Sequence, residues 1–111
     1  MRKLAVAALI LGAVTFVVSG ISWAAKSHAA EAVEHAQEAV DHGKQGHADV
    51  LVKHASAALT HAEASQKEKA NPHMAEGIKG LKEGIEHGKA GHADVATKAI
   101  DGALMHMKEV K

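Results

Sequence analysis

HGKQGHADV runs from His42 to Val50, and HGKAGHADV runs from His87 to Val95. The two stretches differ only at Gln45 and Ala90, and they lie 45 residues apart. Each frames a short polar tip with glycine and histidine. On both sides the chain is rich in Ala, Glu, Lys, Leu and Gln, all good helix formers. The pattern predicts the turn of an αα-hairpin, whose short connector makes the two arms antiparallel. In this reading Gly43 ends the first arm as a left-handed C-cap. Gly46-His47-Ala48-Asp49 opens the second arm, with Asp49 placing negative charge in its first turn.

Two copies of the phrase predict two hairpins, a duplicated unit of helical pairs. Polar residues 65–71 join them, and Asn71-Pro72 reads as an N-cap followed by proline at the first helical position. Helices are expected over about 27–43, 47–67, 72–88 and 92–110. The fold class is all-α: an up-down-up-down antiparallel four-helix bundle, with hairpin repeats at about 28–66 and 73–111. In the first arm Ala29, Ala32, Val33, Ala36, Ala39 and Val40 share one face, with Glu34, Gln37 and Asp41 opposite, an amphipathic stripe at helical period.

Ahead of the repeat stands a different kind of segment. A short basic start, Arg2-Lys3, precedes an apolar run from Leu4 to Val18, and Ser22-Trp23-Ala24 puts small residues at the −3 and −1 positions of a cleavage site. Residues 1–24 therefore have the form of a Sec-type signal peptide cut between Ala24 and Ala25. An uncleaved anchor needs ~20 apolar residues, and Ser19, Gly20 and Ser22 interrupt the run before that. The mature domain, 25–111, is expected in the periplasm, with no membrane association after cleavage. Removing Arg2 and Lys3 leaves 11 Lys against 13 acids, a net charge of −2 with histidine neutral. No basic stripe suggests nucleic acid. The chain has no cysteine, which excludes disulfides, thiolate metal sites and covalent c-type haem. Phe16 and Trp23 lie in the leader, so the core must be aliphatic.

Histidine carries the chemistry. His28, His35 and His42 are spaced by seven, as are His47, His54 and His61. Shifted by 45 residues, the ruler meets His73, Gly80, His87, His92, Ala99 and His106. Ten of the twelve ruler positions are histidine, too many for scattered surface usage. Seven residues are nearly two turns, so the ruler keeps one face. Its rings stand about 10.5 Å apart along one helix, too far to share an ion at bond lengths of about 2 Å. An antiparallel partner removes that difficulty. It pairs His42 with His47, His35 with His54 and His28 with His61; in the second hairpin it pairs His87 with His92 and His73 with His106. The middle rung there, Gly80 and Ala99, has lost its imidazoles, and restoring both should add capacity.

Glu31, Glu38 and Glu83 each precede a histidine of the ruler by four residues, within reach on a helix surface. Each can serve as a further ligand or orient a ring from behind. Nitrogen-plus-carboxylate sets suit late first-row divalent ions, with Cu(II) bound most tightly. Copper is the expected ion, with nickel, zinc and cobalt as alternatives. Met74, Met105 and Met107 sit beside His73 and His106. Thioethers favour Cu(I), but Met74 and Met107 fall on the apolar stripe and read better as core filling.

The heptad histidines, the repeated HGKxGHADV and the leader together resemble the small metal-binding protein family, over essentially all of residues 26–110. The resemblance implies a histidine-rich periplasmic four-helix bundle that binds copper and other divalent ions, and a scavenging or buffering role. Gly80 and Ala99 depart from the pattern, which implies fewer or weaker sites in the second hairpin. A structural or pH-responsive helical protein is the alternative, because imidazoles ordinarily gain charge near pH ~6.5. An enzyme is not expected: di-iron bundles use Glu-x-x-His, whereas the spacing here is Glu-x-x-x-His. A monomer that binds metal ions, and that exchanges them with copper-handling periplasmic proteins, is the expected assembly.

Overall fold

The computed structural model describes residues 27–111; the expected leader and its cleavage site lie outside the described residues. Four helices account for nearly all of this segment: α1 (His28–Lys44), α2 (Ala48–Glu68), α3 (Pro72–Lys89) and α4 (Ala93–Met107). Local chemistry explains where they begin. Ser27 is the N-cap of α1, and its Oγ accepts from the Ala30 N–H at 3.1 Å, which satisfies one of the donors a helix start leaves unpaired. Asn71 does the same for α3, accepting from the His73 N–H at 2.8 Å, with Pro72 in the first turn where a missing N–H costs nothing. α4 stops at Met107, shorter than the periodicity suggests, and Lys108 caps it by donating to the Leu104 carbonyl at 3.0 Å.

Both tips have the same construction. Gly46 and Gly91 hold φ of 83° and 84°, the only positive values among the described residues. The Gly46 N–H donates to the Gly43 carbonyl at 3.0 Å, and the His47 N–H donates to the His42 carbonyl at 3.0 Å. At the second tip Gly91 donates to Gly88 at 3.0 Å and His92 to His87 at 2.9 Å. This pair of bonds closing over a left-handed residue is the Schellman motif. The left-handed cap is therefore Gly46, not Gly43 as the sequence suggests. Gly43 is helical and buried for another reason: a Cβ there would crowd the Thr97 side chain and come within 2.6 Å of Leu51 Cδ1.

Each helix packs on its neighbour in sequence, and α1 packs on α4, while the α2–α4 diagonal touches only lightly. That closes an up-down-up-down bundle. Its core consists of Ala32, Ala36, Ala39 and Val40 from α1, Leu51, Ala55, Ala58 and Ala62 from α2, Met74, Leu81 and Ile85 from α3, and Ala96, Ile100, Ala103, Leu104 and Met107 from α4. No polar side chain is buried among the described residues.

The two hairpins fill their seams differently. Where the first has Ala39 and Ala55, the second has Gly84 and Ile100; where the first has Ala32 and Ala62, the second has Gly77 and Met107. A Cβ on Gly84 would meet Ile100 Cδ1 at 2.8 Å, and one on Gly77 would meet Met107 Sδ at 3.3 Å. A large side chain on one helix has thus been accommodated by losing a methyl on the other, the volume-conserving exchange that packed cores tolerate best.

Two glycine substitutions should move stability in opposite directions. Nothing lies within 4 Å of a Cβ at Gly46 or at Gly102, so packing is silent at both. Gly46→Ala should cost about 1–2 kcal/mol because L-residues resist that φ, whereas Gly102→Ala, within α4, should gain about 0.5–1 kcal/mol. Urea midpoints at unchanged m-value measure both.

Candidate metal centre

The tip of the first hairpin sets the level at which its histidines meet. His42 lies near the end of α1 and His47 is the residue before α2, so the two strings of imidazoles are out of step by a fraction of their seven-residue spacing. Half of about 10.5 Å is about 5 Å, and the rings interleave at close to that interval. His28 and His61 have centroids 5.2 Å apart, His61 and His35 5.6 Å, His35 and His54 6.1 Å, His54 and His42 5.3 Å, and His42 and His47 6.1 Å. The rungs inferred from sequence are present, but each ring except the two at the ends also faces a second ring. His35 is parallel to His61 within 5°, and His42 to His54 within 3°. One file of six imidazoles results, not three separate pairs.

The file runs along the border of the core. His28, His35, His42, His54 and His61 are half-buried and His47 is exposed. Neither the Nδ1 of His35 nor that of His42 is reached by solvent or by a hydrogen-bond partner. His35 Nδ1 is 3.5 Å from Glu38 Oε1, but the alignment does not make a hydrogen bond. Buried ring nitrogens without partners are uncommon, because losing water without a replacement costs about 1–3 kcal/mol. At the far end His28 Nδ1 and His61 Nδ1 are 3.0 Å apart. One must carry the proton and the other accept it, so a metal that takes either nitrogen must displace that arrangement.

Carboxylates enter between the rings. Glu38 Oε1 is 3.1 Å from His54 Nδ1 as well as 3.5 Å from that of His35. The sequence pairs Glu38 with His42, four residues on; the structure turns it back toward His35 and across to His54. Glu31 joins His35 and His61. In each of the two sets, Glu31/His35/His61 and His35/Glu38/His54, one donor atom per residue lies within 4.8 Å of the others. Bonds of about 2.0–2.2 Å require only a small closing of such a cluster. Three protein donors leave coordination positions open, which distinguishes these sets from closed four-ligand structural sites.

The second hairpin is assembled differently. His73 and His106 bring their rings to 5.8 Å, both exposed. Among the described residues His87 and His92 make no ring contact, although the His92 N–H donates to the His87 carbonyl, and Glu83 belongs to neither three-residue set. Met74 and Met107 are buried in the core while Met105 is 66% exposed. The vacant rung is closed by backbone: a Cβ on Gly80 would lie 2.8 Å from Ala103 Cβ and 3.1 Å from the Ala99 carbonyl oxygen.

One residue escaped the sequence reading. Glu68 Oε2 is 3.7 Å from His28 Nε2. The signal was present, because Glu68 follows His61 by seven and continues the ruler of α2 by one more step.

A family model described as "Small metal-binding protein" matches residues 1–110. Comparison with individual curated proteins gives no match. No helix of the described residues is long and apolar enough to cross a membrane.

The close approach at Gly80 changes what a restored rung would do. Gly80→His should destabilise the bundle by about 1–3 kcal/mol, the usual cost of overpacking, and should add no metal capacity by itself. Thermal denaturation with and without metal checks both parts; a stable variant with extra bound ion would show that α3 and α4 separate easily.

Proposed function

The chain belongs to the small metal-binding protein family, and from that premise we propose that it reversibly binds divalent transition-metal ions in the periplasm, with Cu(II) foremost. Its role in this reading is sequestration or buffering, not catalysis. The observation that carries it is the half-buried imidazole file of α1 and α2, above all His35, whose unpartnered Nδ1 faces a carboxylate and lies between two further rings.

Physical chemistry supports the choice of ion and of role. Neutral imidazole with carboxylate suits Cu(II), Ni(II), Zn(II) and Co(II), and at a given site of this type Cu(II) binds most tightly. With no cysteine in the chain and Met74 and Met107 taken up by the core, little in the described donor set favours Cu(I). Open coordination positions suit a reservoir that gives its ion up again, and copper-handling proteins of the same compartment would be the recipients. Protons compete for the same nitrogens, so retention should weaken in acid. The proposed ligands are His28, His35, His42, His47, His54 and His61 with Glu31 and Glu38. His73, His87, His92 and His106, with Glu83, form a weaker second group. A monomer suffices, because both central sets are completed by α1 and α2 of one chain.

Isothermal titration with Cu(II), Ni(II) and Zn(II), on wild type and on His35→Ala/His54→Ala, tests the reading. The variant should lose bound ion while its helical circular dichroism stays nearly unchanged, because both side chains lie on the rim of the core, about 30% exposed. Unchanged stoichiometry would remove the file from the binding site. A wild type that takes up no ion at micromolar concentration would leave only a structural bundle.

A further inference from the structure

The two central donor sets have one residue in common. Glu31/His35/His61 and His35/Glu38/His54 both draw on His35, and without it each retains only one imidazole and one carboxylate. We infer that His35 is a pivot that makes the two sets alternatives, so that the middle of the first hairpin holds a single ion that shifts between them. The inference rests on the metal-binding reading above and specifies how the ion is held.

The geometry favours one ion over two. Glu38 Oε1 lies within 3.5 Å of Nδ1 on both His35 and His54, which makes Nδ1 the His35 donor on that side. To hold a second ion at the same time, His35 would have to bind through both nitrogens as an imidazolate, giving up its remaining ring proton. Two divalent cations would then face each other across one five-membered ring, with only two carboxylates, Glu31 and Glu38, to offset their repulsion. A single ion meets neither obstacle. It moves from Nδ1 of His35, with Glu38 and His54, to the other side of that ring, with Glu31 and His61, and the ring stays neutral at either position. The rings that serve the two positions flank His35 at 6.1 and 5.6 Å, so the exchange needs side-chain rotation and no movement of the helices. The ion can leave either half of the centre without leaving the protein.

This predicts an unusual pattern of redundancy. Glu31 is half-buried and Glu38 is exposed, so both accept glutamine without harm to the fold. Zn(II) is titrated into full-length wild type, Glu31→Gln, Glu38→Gln, the double variant and His35→Ala, with bound ion counted after dialysis. Imidazole resonances of His54 and His61 are followed by NMR, and circular dichroism verifies helicity. Wild type and both single variants should bind the same number of ions. Zinc should keep perturbing His54 in Glu31→Gln and His61 in Glu38→Gln. The double variant and His35→Ala should each bind one ion fewer. Loss of one ion in each single variant would overturn the pivot in favour of two independent sites. A spin-coupled Cu(II) pair in wild type would overturn it in favour of a bridged pair. A double variant with the wild-type count would remove the carboxylates from the sites and the alternation with them. Each of these results leaves metal binding intact, whereas a wild type that binds no zinc and no copper defeats the parent reading itself.

Discussion

One backbone hydrogen bond, from the His47 N–H to the His42 carbonyl at 3.0 Å, determines how the histidines of the first hairpin meet. It belongs to a capping motif that requires a left-handed residue, supplied by Gly46. The motif stops α1, reverses the chain and starts α2 in a fixed register. Register then propagates: with imidazoles every seven residues on both helices, the offset at the tip is repeated to the far end. Rings interleave because the offset is a fraction of the spacing. The cap and the candidate ligands are written in the same nine residues, so the motif that turns the chain also positions its first two rings.

Sequence periodicity alone was enough to recognise the fold and the pairing of the first hairpin's histidines, though as three rungs and not as one file. Seven-residue spacing, helix-forming composition and the repeated phrase identify four helices, two hairpins and the face that carries His28, His35, His42, His47, His54 and His61. What it could not convey is rotation and stagger. Glu38 is equidistant in sequence logic between a ring three residues back and one four residues on; only the position of His54 on α2 decides that it turns back. Sequence places the cap at Gly43 and the structure places it at Gly46; the difference depends on Thr97 and Leu51, which pack against the first and leave the second at the tip. Glu68 was legible as the next step of the ruler, but a ruler defined by histidine does not extend to a carboxylate.

The second hairpin repeats the tip and not the file. Gly77, Gly80 and Gly84 replace Ala32, His35 and Ala39 along α3, while Ile100, Leu104 and Met107 supply apolar volume on α4. Close backbone approach at Gly80 and bulky neighbours elsewhere make this half a packing element. The histidines that survive, His73 with His106 and His87 with His92, are those nearest the ends of the hairpin. The two hairpins thus share one architecture with different emphases: one rich in donor atoms, one rich in buried hydrocarbon.

The alanine seam of the first hairpin has a thermodynamic corollary. Ala32, Ala36, Ala39, Ala55, Ala58 and Ala62 each bury little more than a methyl group, and each such carbon is worth only about 0.8 kcal/mol. Without a disulfide, α1 and α2 are held by a thin layer of contact. An ion that bridges them acts as a clasp, and by mass action it would raise the unfolding free energy by about 2.7 kcal/mol at a hundredfold excess over its dissociation constant. The melting temperature of the bundle would then track the free metal around it, rising and falling with supply. Resistance of the folded chain to proteolysis would then be coupled to bound metal.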